Sequence, residues 1–157
     1  VRCDSLERSI QVLRKGVNWT YSAPAIPRSH WIEQGHSEGD AANMEANIRH
    51  MKDEVERVRN GTRSGYNLLF EGNLSVQHDD ALLPHFKELA DAIQVSAGGI
   101  ESIDIDYFEL HPTSLKILMP AMENKVQAVN LYCARFPAAV SMECYDIICQ
   151  SIRRNHK

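Results

Sequence analysis

One stretch of the chain repeats itself. Ile100, Ile103, Ile105 and Leu110 recur 26 residues later as Val126, Val129, Leu131 and Phe136. Apolar and polar residues alternate at 103–105 and again at 129–131, the period of a strand with one face buried. Each line then enters a segment with helical spacing. Leu115, Leu118, Met119 and Met122 mark the first such segment, and Cys144, Ile147, Ile148 and Ile152 the second. A strand and a helix recurring within about 20–30 residues have the period of a solenoid, in which each unit buries its apolar face only against its neighbours. The expected fold class is therefore α/β, with parallel strands and outer helices.

IESIDIDYFEL (100–110) and VQAVNLYCARF (126–136) place apolar residues at every leucine position of the pattern L-x-x-L-x-L-x-x-N/C-x-L. They resemble the leucine-rich repeat, above all its longer, helix-containing, ribonuclease-inhibitor-like kind. At the ninth position Phe108 and Ala134 stand where the family has Asn or Cys; in the family that side chain ties neighbouring turns together through backbone hydrogen bonds. The resemblance covers residues 100–154, or 66–157 with a degenerate first unit. It implies that the strands line a concave face and that residues between the buried leucines point out to partners. Carried over by position, these are Ser102, Asp104, Asp106, Tyr107 and Glu109 in one unit, and Ala128, Asn130, Tyr132, Cys133 and Arg135 in the next. Asp104 then lies beside Asn130, Asp106 beside Tyr132, and Glu109 beside Arg135. The implied partner-binding set is Asp104, Asp106, Tyr107, Glu109, Asn130, Tyr132 and Arg135. Tyrosines flanked by acids suit a protein or peptide of basic or mixed charge, because Tyr offers large contact area at small entropy cost.

The N-terminal part reads as a helical cap over 1–65. Asp4 and Glu7 resemble a capping box, and Leu6, Ile10, Leu13 and Val17 mark one helical face up to Gly16. Residues 18–36 lose that period and gain Trp19, Tyr21, Pro24, Pro27 and Trp31. They predict an ordered aromatic loop, with Trp19 and Trp31 as pegs onto the helices. Ser37 and Asp40 open a second helix, whose stripe of Ala41, Met44, Ile48, Met51, Val55 and Val58 packs within the chain. Glu45–Arg49 and Asp53–Arg57 are its expected i,i+4 pairs, and Asn60-Gly61 its end. Region 66–157 follows. Tyr66–Phe70 is a candidate strand and 71–80 a polar loop. Asp80 or Asp79 caps a helix with Pro84 in its first turn and an apolar face of Leu82, Leu83, Phe86, Leu89, Ala90 and Ile93. Leu89 and Ile93 sit 29 residues before Leu118 and Met122, which marks 66–97 as the degenerate first unit. The solenoid is expected to be truncated after Ile152, leaving an open edge for further units or for self-association.

Composition limits the function. With 17 basic and 21 acidic residues spread evenly, the chain has no electrostatic footprint for nucleic acid or an anionic membrane. No apolar run reaches the length of a membrane span. Cys3, Cys133, Cys144 and Cys149 lack C-x-x-C spacing and read as free thiols of a reducing, intracellular setting. The sequons at Asn18, Asn60 and Asn73 point the other way, but such short motifs recur by accident. His30, Glu33, His36 and His50 match no zinc spacing, and no cofactor is expected. The leading expectation is a non-catalytic interaction module. The alternatives are a small metal-dependent hydrolase using Asp104 and Asp106 with His111, and a structural subunit of a larger assembly.

Overall fold

The aromatic segment 18–36 holds a short helix where a loop was expected. In this computed structural model, which describes residues 19–61, 65–67, 76–96 and 99–155, Pro27 is extended and leads into α1 (Arg28–Glu33). That turn of helix swings Trp31 fully into the core. Helix α2 (Glu38–Asn60) begins where the Ser37 hydroxyl accepts the Asp40 backbone N–H at 3.1 Å. It stops at Gly61, whose left-handed backbone (φ 61°) returns its N–H to the carbonyls of Arg57 and Val58. The whole expected stripe from Ala41 to Val58 is buried. Two residues of the expected i,i+4 pairs meet other partners: Glu45 reaches Arg28 of α1 at 2.9 Å, and Arg57 pairs with Glu54 one turn back.

Strand β1 (Gly65–Asn67) is followed by a 3₁₀ turn over Asp80–Leu82, capped by Asp79, whose Oδ1 accepts the Ala81 N–H at 2.7 Å. That turn feeds α3 (Leu83–Val95), with Pro84 in its first turn. Then come β2 (Ile100–Asp104), α4 (Pro112–Met122), β3 (Val126–Asn130) and, after a 3₁₀ turn at Ala138–Val140, α5 (Ser141–Arg154). The expected helix at 6–17, residues 68–70 of the expected strand, most of the polar loop, Gly98 and Cys3 lie outside the described residues.

The protein is mixed α/β with a three-stranded parallel sheet in the order β1-β2-β3. Strand β2 pairs with β3 at an offset of 26, with Ile100 on Val126, Ile103 on Val129 and Asp104 on Asn130. The ladder continues past both strands, as Ile105 N–H donates to Asn130 and Leu110 N–H to Arg135. Tyr107 and Cys133, also 26 apart, both adopt left-handed backbone, at φ 59° and 54°. The two units thus share a strained turn as well as a register. Strand β1 breaks the spacing: Gly65 pairs with Ser102 and Tyr66 with Ile103, an offset of 37 where β2 and β3 lie 26 apart. A Cβ on Gly65 would come within 2.9 Å of the Ser102 hydroxyl, which would have to turn away to admit a larger residue.

Helices α2, α3, α4 and α5 pack in sequence as one layer, with α2 also against β1. A single core runs through them, from Ile26 and Trp31 to Cys144. Burial falls off toward the end. Ile103, Ile105 and Leu118 are buried, but Val129, Leu131 and Ile148, expected in the same interior layer, are only half-buried. Ile152, expected on the inner face of α5, is 52% exposed, and Ser151 turns inward in its place. These residues belong to the last strand and helix, which among the described residues have a neighbour on one side only.

Polar groups pin the N-terminal loop to α3. His85 is buried between the Tyr21 hydroxyl, 2.7 Å from Nδ1, and the Pro24 carbonyl, 3.0 Å from Nε2. A carbonyl can only accept, so Nε2 carries the proton and Nδ1 accepts from Tyr21. Glu88, on the next turn, accepts both the backbone N–H (2.8 Å) and the hydroxyl of Ser22. Burial lowers the His85 pKa, with partial opposition from the Pro24 hydrogen bond and the Glu88 charge.

Two expectations follow for stability. Urea unfolding should place Ile103→Ala about 2–5 kcal/mol below wild type, as for other fully buried large-to-small changes. Leu131→Ala should lose less than half of that. For His85 the folded pKa lies below the unfolded value of about 6.5, so the unfolded chain takes the proton first as pH falls. Its contribution is complete above that pH and declines below it. Wild type should therefore lose stability between pH 7.5 and 5.5 more steeply than His85→Phe, which starts lower because it strands Tyr21 and Pro24.

Candidate functional site

Parallel pairing at an offset of 26 brings the outward positions of β2 and β3 into rows. The Asn130 side-chain amide donates to Asp104 Oδ1 across the strands. Glu109 and Arg135 form a parallel bridge at the end of the ladder. Between them, the rings of Tyr107 and Tyr132 meet edge to face with centroids 6.5 Å apart. Tyr132 is 68% exposed, a large apolar surface left in water. Cys133 is a free, exposed thiol beside Tyr107. It raises the Tyr107 pKa, first through its charge, then with desolvation and a hydrogen bond between the two side chains.

Asp106 departs from the expectation that it points out to a partner. It is 4% exposed, and its Oδ1 accepts the backbone N–H of Tyr132 at 2.9 Å. Burial is the first reason its pKa is raised; the Tyr132 hydrogen bond lowers it and the Asp104 charge raises it. The left-handed turn at Tyr107 draws the carboxylate in against the next strand, so it serves as a tie between units. Of the sequence-derived set, Asp104, Tyr107, Glu109, Asn130, Tyr132 and Arg135 remain on the accessible face.

Asp104 and Asp106 consequently do not form a free pair of carboxylates. His111 is engaged elsewhere. It precedes α4, where the Ser114 hydroxyl accepts its backbone N–H at 3.1 Å and donates to its carbonyl at 2.8 Å. Its ring stacks on His78, with centroids 4.4 Å apart and planes 14° off parallel. Burial first, and His111 second, lower the His78 pKa. Among the described residues no group of three or more His, Cys, Asp or Glu side chains is placed to hold a metal. His30, listed by sequence beside Glu33 and His36, instead faces Asp79 at 2.9 Å.

Two features are absent from the sequence reading. Val76 bridges Phe108: its N–H donates to Tyr107 at 2.7 Å, and its carbonyl accepts from Glu109 at 2.8 Å. It fixes the same turn from the β1 side, and a single valine in a polar segment carries no signal of that. Away from the strand face, a concavity of about 280 Å³ lies between the N-terminal loop and α2, lined by Tyr21, Ile26, Ile48, Arg49, Lys52 and His85. Its aromatic floor is already held by His85, and Lys52 covers the Tyr21 ring at 5.8 Å.

No protein-family model matches the chain, and no curated protein or solved structure is similar to it.

The tie made by Asp106 is testable. Asn can accept the same N–H without a buried charge, so Asp106→Asn should match or exceed wild-type stability at neutral pH. Asp106→Ala leaves the Tyr132 N–H without its acceptor and should cost about 1–3 kcal/mol in chemical denaturation.

Proposed function

We propose that this chain is a non-catalytic protein-interaction module, a short solenoid of the leucine-rich-repeat kind, which binds a peptide or protein through its strand face. The repeat reading is supported by the common register and the matching left-handed turns at Tyr107 and Cys133. The single observation that carries the binding reading is the tyrosine pair, half-buried Tyr107 against exposed Tyr132, framed by Asp104–Asn130 on one side and Glu109–Arg135 on the other. Aromatic anchors inside a polar frame make the energetic centre of many interfaces. With an acid and a base both present, the fitting partner has mixed charge and an apolar side chain to lay against Tyr132.

The hydrolase alternative has less support, because it needs Asp106 and His111 free to act and both are committed to structural contacts. A partner isolated with the intact chain provides the test. Tyr132→Ala and Arg135→Ala should leave the melting temperature nearly unchanged, as exposed positions seldom cost more than about 0.5 kcal/mol. Tyr132→Ala should weaken binding by about tenfold or more, which calorimetry on the purified pair would read. Full-strength binding by both variants would remove the strand face from consideration.

A further inference from the structure

The last helix carries a second apolar stripe that, apart from the Phe136 ring beside Tyr145, is left open among the described residues. Cys144, Ile147, Ile148 and Ser151 turn toward the core, while Met142, Tyr145, Cys149 and Ile152 fall on a neighbouring face at spacings of three, four and three. Met142 is 73% exposed, and Tyr145 and Ile152 are each 52% exposed. This face continues an interface the molecule already uses. Helix α4 meets α5 through Lys116, which pairs with Glu143 at 2.7 Å, through the Met119 carbonyl, which accepts from Ser151 at 3.3 Å, and through Glu123, which pairs with Arg154 at 2.9 Å. A shift of 29 residues carries those three positions onto Tyr145, Ile148 and Ile152. The side of α5 that corresponds to the α5-facing side of α4 thus carries Tyr145 and Ile152, and among the described residues no helix packs against it. Strand β3 ends the sheet at the same end of the molecule.

The stripe is self-complementary. Met142 and Ile152 lie five residues on either side of Ile147, and Tyr145 and Cys149 two residues on either side. An antiparallel copy centred on Ile147 therefore sets Met142 against Ile152 and Tyr145 against Cys149, twice over, as a twofold axis requires. The charges agree with that direction. Glu143 and Arg154 are taken by Lys116 and Glu123 within the chain, which leaves Asp146 in the first half of α5 and Arg153 in its last turn to face a second copy. Antiparallel packing brings acidic halves against basic ones and opposes the two helix dipoles. We propose that the chain forms a homodimer through α5, the second copy lying antiparallel along Met142, Tyr145, Cys149 and Ile152. This surface is separate from the strand face, and the dimer does not depend on what that face binds.

Sedimentation of the full chain across the micromolar range tests it. Wild type should pass from monomer to dimer with rising concentration. Met142→Glu and, separately, Ile152→Glu should each raise the dissociation constant about tenfold or more, as buried apolar anchors usually do. Arg153→Glu should weaken the dimer, and adding Asp146→Arg to it should restore association by exchanging the charges. Tyr132→Ala should leave the dimer as it is. Both apolar sites are exposed, so thermal melts of the monomeric variants should overlay that of wild type at low concentration. A chain that stays monomeric at every concentration, or a dimer indifferent to both glutamates, overturns the proposal.

Discussion

Parallel pairing between β2 and β3 governs where every other side chain of the C-terminal half can point. Successive residues of a strand face opposite ways, so a slip of one residue would turn Ile103 and Ile105 outward and Asp104 inward. Beyond Asp104 the pairing goes on through separate hydrogen bonds and an isolated bridge as far as Leu110, and at Tyr107 and Cys133 it bends through the same left-handed backbone. Left-handed conformation is costly for a residue with a side chain. Its presence at both positions means that the packing around the turn holds it. Val76 pairs with Phe108 on one side of that turn, and Asp106 holds Tyr132 on the other.

Asp106 gives that arrangement its chemical character. A buried carboxylate is unfavourable unless something compensates it. Here a backbone N–H supplies only part of the compensation, and the pKa rises accordingly. In exchange, the next strand gains a fixed acceptor at the point where the ladder must turn. The exposed chemistry of the face comprises Asp104–Asn130, the two tyrosines, the Cys133 thiol and Glu109–Arg135.

Burial is uneven along the layer of helices, and its unevenness separates the parts of the molecule. Helices α3 and α4 have neighbours on both sides and hide most of their apolar residues. At the N-terminal end the loop is locked by His85 and Glu88, polar groups that are buried because each satisfies loop backbone and hydroxyls at once. At the other end α5 buries Cys144 and Ser151 and leaves Met142, Tyr145 and Ile152 in water.

The sequence alone determined the elements whose signals are local. Ser37 and Gly61 bounded α2 through capping chemistry, and the three-and-four spacing of its stripe identified the residues that became core. The 26-residue recurrence was enough to read the β2–β3 register, because hydrophobic alternation and strand pairing obey the same period of two. From that register followed the neighbours Asp104–Asn130 and Glu109–Arg135. Tertiary structure decided what depends on distant partners. Trp31 became helical because the core drew it in, and Glu45 turned to Arg28 because α1 lies within reach. The spacing placed Asp106 on the outer face; a left-handed turn, invisible in any hydrophobic pattern, carried it inward. Val129, Leu131 and Ile152 match their counterparts in sequence but are less buried, since burial requires a neighbour on each side and periodicity records only which face wants one.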